Sequence, residues 1–172
     1  GIMMRIAYDQ EAFYLQEYGG ITRYIVRLVK ELSRLGDDIK IIAPIHRNKY
    51  VSELPNSLFS GTYIDWRPGK HSGSLARYNR YLARKRIERW KPDIVHESYY
   101  SDSGVTPRDS RTVVTVYDMI YEIEPEWGLE SELVTKDKKK SVERADHIIC
   151  ISKETRNELI EKFGIAESKT TV

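Results

Sequence analysis

The chain carries one cysteine, Cys150, in 172 residues. That excludes a disulfide framework and a cysteine-built metal site, and it fits a reducing compartment. No apolar run approaches the roughly 18 residues that a membrane-spanning helix needs. No charged stretch leads into an apolar one near the start, so no signal peptide is expected. Net charge is only +2, which gives no electrostatic reason to expect nucleic acid as a partner. His46, His71, His96 and His147 show no metal-ligand spacing, so no metal is expected. There is no Walker A loop and no GxGxxG fingerprint, and no serine sits in a nucleophile elbow. No repeat, low-complexity tract or linker divides the chain.

What is present is an alternation of short apolar runs and amphipathic stretches. Arg5-Ile6-Ala7-Tyr8 reads as a first strand, followed by a polar and aromatic loop over 9–18. Ile21, Ile25, Leu28, Val29, Leu32 and Leu35 then share one face of a helix. Gly36 suits its C′ position, where a left-handed backbone costs glycine little. Residues 39–43 form a second strand, ended by Pro44, which completes a βαβ unit. Residues 62–65 suggest a short strand. A basic helix is expected over 74–91, its buried side supplied by Leu75, Tyr78, Leu82, Ile87 and Trp90. Residues 93–96, 112–116 and 147–151 read as strands, the last preceded by a helix over 129–144. Ser152 is placed to cap a helix that stops at Gly164, and 170–172 begin another strand. Such alternation predicts an α/β fold: a mostly parallel sheet covered by helices on both faces.

Ligands of open parallel sheets sit beyond the carboxyl ends of the strands. The residues to weigh are therefore 9–20, 96–100, 117–121 and Ser152, which the fold would gather along one rim. Gly19 and Gly20 open a strong helix, where a ligand can approach backbone N–H groups and the helix dipole favours an anion such as phosphate. The bland alternative, a turn needing positive φ, is the stronger reading for an isolated glycine pair. Arg23, one turn in, either adds charge to that anion site or is an ordinary solvated arginine. In HESYY, His96, Glu97, Tyr99 and Tyr100 offer hydrogen-bonding and stacking groups suited to a sugar. A histidine satisfied by backbone, with tyrosines packed under a loop, is an equal alternative. Asp118 directly follows a buried strand and either binds substrate hydroxyls or pins a loop. Tyr117, Tyr121 and Glu122 extend the same polar stretch. Cys150 reads as inert packing. The arginines and lysines of 77–91 read as a solvated face, with contact to anionic lipid headgroups or a phosphorylated acceptor as the alternative.

The ordered segments GGITRY, DIVHESYY, VVTVYDMIYE, ERADHIICISKETRNELIEKFGI and SKTTV resemble the N-terminal Rossmann-like domain of a group 1, family 4-like glycosyltransferase with the GT-B fold. The resemblance covers nearly the whole chain, 1–172. It implies two facing Rossmann-like domains, the C-terminal one holding the nucleotide-sugar beside a paired-glutamate motif and the N-terminal one holding the acceptor. It further implies transfer with retention of configuration, the nucleotide-sugar entering as substrate, and no cofactor or metal. Carried over by position, Gly19, Gly20 and Arg23 approach the donor, and His96, Glu97, Tyr99 and Tyr100 line the acceptor side. Tyr117 and Asp118 lie at the reacting centre. Many relatives have a histidine where this chain has Tyr117, and a phenol cannot serve as a base near neutral pH. The donor-binding domain and its glutamate pair are not found in 1–172, so the expectation is a fragment inactive by itself. The expected location is cytoplasmic, reaching the inner face of a membrane through the basic helix.

Two other classes fit these residues less well. A standalone α/β binding or regulatory module, such as a receiver, would show an acidic cluster after its first strand. Tyr8-Asp9-Gln10-Glu11 supplies some of that acidity, but the GGITRY helix and aromatic rim do not belong to it. A nucleotide-dependent oxidoreductase would place an acidic residue after the second strand, where Pro44 follows Ala43 here.

Overall fold

A computed structural model describes residues 3–65, 72–118 and 128–172. The chain divides into two compact units, one formed by Gly1–Ser98 and Val105–Arg111, the other by Tyr99–Gly104 and Thr112–Val172.

The first unit contains β1 (Arg5–Tyr8), α1 (Glu11–Leu15), α2 (Gly20–Arg34), β2 (Asp38–His46), a 3-10 turn (Tyr50–Glu53), β3 (Phe59–Tyr63), α3 (Ser72–Trp90) and β4 (Ile94–Glu97). Its strands run in the order β3-β2-β1-β4, all parallel. This is the arrangement of a doubly wound, Rossmann-like α/β fold, in which the order reverses beside the first strand. β1 sits between β2 and β4 and is buried at Ala7 and Tyr8. Ala7, Ile42, Ala83, Ile87, Val95 and Val105 form one apolar core, flanked by Trp90.

The second unit contains β5 (Arg111–Val116) from Thr112 onward, α4 (Gly128–Arg144), β6 (His147–Cys150), α5 (Lys153–Phe163) and β7 (Thr170–Thr171), with parallel strands in the order β5-β6-β7. Val114, Val116, Val142, Ile148, Cys150 and Leu159 pack together with Tyr100 in its core. Cys150 is buried packing, as its place in an apolar strand predicts, and burial raises its thiol pKa. α5 is capped as its sequence indicates: Ser152 Oγ accepts from the Thr155 amide at 3.0 Å, and Gly164 takes φ +64° at the other end.

Several boundaries differ from the sequence reading. The expected loop over 9–18 contains α1, a single short turn of helix whose Ala12 and Phe13 are buried. β2 does not stop at Pro44 but continues to His46. Proline is tolerated because the register with β3 slips between Ile42 and Ile45. There the Asn79 side chain from α3 takes a strand's place: its amide oxygen accepts from Ile45 N and its amide nitrogen donates to Ile45 O, both at 2.9 Å. β3 lies at Phe59–Tyr63, earlier than 62–65. α2 buries Thr22, Ile25, Val26 and Val29, while Leu35 is exposed at the helix end. In α3 the buried positions are Asn79, Ala83 and Ile87, and Tyr78 faces solvent with Tyr81. Gly36 has the expected left-handed backbone, φ +105°. Tyr121, Glu122 and His71 lie outside the described residues.

Candidate functional site

Each unit gathers part of the predicted set beyond the carboxyl ends of its strands. In the first unit, β1 and β4 are neighbours, with Tyr8 in register with His96. Their rings stack at a centroid distance of 4.6 Å, 23° from parallel. Burial lowers the His96 pKa to about 4, so its ring is neutral at physiological pH. Glu97 and Ser98, the next two residues, are buried as well.

The chain leaving β1 is tied to this strand end by Asp9. Its Oδ1 accepts from Ser98 Oγ at 2.6 Å, from Ser98 N at 2.9 Å and from Glu11 N at 3.3 Å. Ser98 Oγ in turn accepts from Ala12 N at 3.0 Å. The acidity of Asp9 is plain in the sequence, but this role depends on Ser98, 89 residues away. A buried carboxylate of this kind is held by donors and holds the loop in return.

Gly19 and Gly20 follow at the start of α2. Gly19 is extended, at φ −164° and ψ 156°, and Gly20 is the first helical residue. Neither needs a positive φ, so turn geometry does not explain the pair. A side chain at Gly20 would meet nothing within 4 Å, and one at Gly19 would meet the flexible end of Gln16. Gln16 Oε1 accepts from Thr22 N at 3.4 Å, which occupies one of the first-turn amides. Among the described residues, no group accepts from the Gly20 and Ile21 amides outside the helix. Arg23 is exposed there, with no ion pair among those residues. The start of α2 therefore presents two backbone donors, a helix dipole and a nearby cation to solvent.

In the second unit the side chains of Tyr100 and Lys138 hold the backbone just after β5. The Tyr117 amide donates to Tyr100 Oη at 3.2 Å. Lys138 Nζ, on α4, donates to the Asp118 carbonyl at 2.7 Å and lies 5.1 Å from the Tyr100 ring centroid. Lys138 is fully buried and carries no mark in the sequence, where it stands in a run of five charged residues, 136–140. Tyr99 and Tyr100 pack ring to ring at 4.9 Å, and burial pushes the Tyr100 hydroxyl pKa well up. Tyr99 and Tyr117 are half-buried, and Asp118 is exposed. Among the described residues there is no group of histidine, cysteine, aspartate or glutamate side chains able to hold a metal ion.

This architecture has relatives. The sequence pattern of glycosyltransferase family 4 matches residues 18–172. The chain belongs to glycosyltransferase family 4. A glycosyltransferase crystal structure from Rickettsia africae is similar at a TM-score of 0.56 and 18% identity, over 98% of this chain and 42% of that one. The apo lipopolysaccharide outer core galactosyltransferase WaaB is similar at 0.59 and 14% identity, over 98% of this chain and 45% of its own. At such identities these structures speak for the fold. The chain spans less than half the length of either. No curated protein matches it. The family and the α/β topology agree with the resemblance read from GGITRY, VVTVYD and ADHIICIS. Among the described residues no helix is long and apolar enough to cross a membrane.

Proposed function

We propose that this family 4 chain is the acceptor-side domain of a retaining glycosyltransferase that moves a sugar from a nucleotide-sugar to a glycan, lipid or other hydroxyl acceptor. The observation that carries this reading is the start of α2, where Gly20 and Ile21 amides and the exposed Arg23 side chain stand open to an anion. A donor diphosphate has the charge such a terminus favours. Gly19 and Gly20 keep side chains out of its way.

On the acceptor side, His96, Glu97, Tyr99 and Tyr100 shape the strand ends. The buried His96 and Glu97 act through the chain they position, and the half-buried Tyr99 is the ring open to a sugar. At the reacting centre, Asp118 binds substrate hydroxyls through its exposed carboxylate, and Tyr117 donates a hydrogen bond. Catalysis in this reading comes from placement and from stabilising the leaving diphosphate, with no protein nucleophile. The donor's nucleotide is held by a second, facing domain, so the 172-residue chain by itself transfers no sugar. The protein works on the cytoplasmic side, and α3 meets anionic lipid headgroups through Arg77, Tyr78, Tyr81, Lys85 and Arg89, all exposed.

The test is turnover of a panel of nucleotide-sugars by the full-length protein, with Arg23→Ala and Asp118→Ala beside it. Arg23→Ala should raise KM for the donor, and Asp118→Ala should lower kcat at least tenfold. Consumption of no nucleotide-sugar, or wild-type kinetics in both variants, would sink the proposal. Sedimentation with anionic against neutral vesicles tests the α3 surface.

A further inference from the structure

A cavity of about 530 Å³ opens beside the edge strand β3 and the 3-10 turn, and is lined by His46, Lys49, Asn56, Phe59 and Tyr63 among others. His46 is its most informative wall. The side chain is 3% exposed, and its Nδ1 lies 3.1 Å from the Asn48 amide. A backbone N–H can only donate, so Nδ1 accepts and the proton of the neutral ring sits on Nε2. No described residue accepts from that Nε2–H. Burial holds the ring neutral, with its pKa lowered to about 4. Phe59 and Tyr63 meet the imidazole at steep angles, 87° and 64°, with centroids at 5.1 and 5.9 Å. Lys49 Nζ lies 4.2 Å from the Tyr63 ring centroid.

This wall is continuous with the segment that leads into the glycine pair. Arg47 N donates to Phe13 O at 3.2 Å, and Lys49 N donates to Glu17 O at 3.0 Å. Asn48 Nδ2 donates to Gln16 O at 2.9 Å. The cavity and the start of α2 are thus built on one hydrogen-bonded length of chain.

We propose that this cavity is a subsite for a pyranose ring of a glycan acceptor, at a sugar unit other than the one that receives the transferred residue. A pyranose has an apolar C–H face for the Phe59 and Tyr63 rings and hydroxyl oxygens for the His46 Nε2–H, the Asn56 amide and the Lys49 ammonium. The word acceptor rests on the transferase reading above; the pocket's preference for a sugar does not.

The test is a titration of the isotope-labelled chain with methyl α-glucopyranoside, methyl α-galactopyranoside and methyl α-mannopyranoside, read at the His46 imidazole and Tyr63 ring signals. Saturable shifts are expected for at least one, weakened tenfold or more by His46→Phe, which keeps a buried ring without the donor, and by Tyr63→Ala. In the full-length enzyme the same substitutions should raise KM for an oligosaccharide acceptor and leave KM for the donor unchanged. No saturable shift with any glycoside, or equal binding by both variants, overturns the proposal. Turnover of nucleotide-sugars with an empty pocket would defeat the subsite alone. Sugar binding here without any such turnover would defeat the transferase reading and leave the pocket standing.

Discussion

The Asp9 carboxylate and Ser98 are joined by two hydrogen bonds across 89 residues of sequence, one from the hydroxyl at 2.6 Å and one from the amide at 2.9 Å. Both residues are buried. Asp9→Ala would leave the Ser98 and Glu11 amides without their acceptor, a cost of about 2–4 kcal/mol. Asp9→Asn keeps an oxygen in place and loses only the charge assistance, about 1 kcal/mol. Urea denaturation of the two variants should give that order. Equal stability of both with wild type would show that the clamp holds nothing.

The two histidines set the acid limit of the fold. His46 and His96 are both lowered by burial from 6.5 to about 4. Between those values the unfolded chain binds protons that the folded chain does not, so stability falls as pH drops from about 6.5 and levels once both forms are protonated, below about 4. Each histidine contributes up to about 3 kcal/mol of that loss. The measurement is unfolding free energy against pH. His96→Gln should remove one proton from the slope, and an unchanged slope would place the titration elsewhere.

The glycines separate packing from function. Gly61→Ala would drive a Cβ into the Ala43 carbonyl oxygen, which lies on the neighbouring strand and cannot give way. Loss of β3 pairing and a fall in melting temperature are expected. Gly20→Ala meets nothing within 4 Å in a helical position, so the fold should hold or gain about 0.5–1 kcal/mol. Donor KM in the full-length enzyme should nonetheless rise, because the added methyl sits beside the open amides. A stable Gly20→Ala enzyme with wild-type donor kinetics would mean that the pair keeps no space for a ligand.

The parts of this molecule that the sequence reveals are those whose cause is local. Apolar β-branched runs marked β2 and β5, while Gly36, Ser152 and Gly164 marked helix ends because φ or a cap fixes those positions one residue at a time. What stayed hidden depends on distant partners. Nothing near Pro44 says that a strand continues, since the missing ladder bonds come from Asn79 on another helix. Tyr78 fits the buried side of α3 by spacing, yet Asn79 and Ala83 point inward instead because Asn79 serves Ile45. The strand-end rule picked His96, Gly20 and Asp118 without knowing which would be buried, and Lys138 carried no local mark at all.

Lys138 offers the sharpest division between holding a fold and serving a site. It is a fully buried cation whose Nζ donates to the Asp118 carbonyl and lies over the Tyr100 ring. Removing the ammonium relieves the cost of burying it but strips the Asp118 carbonyl of its donor. Asp118 is exposed, so water can take the donor's place, and Lys138→Met should change the melting temperature little. The 117–118 backbone would keep the Tyr100 bond to Tyr117 N and lose the one at Asp118 O. If Asp118 works at the reacting centre, kcat in the full-length enzyme should fall tenfold or more while donor KM stays near wild type. A drop in melting temperature with unchanged kcat would make Lys138 a structural residue only, and would separate the order of this strand end from the chemistry assigned to it.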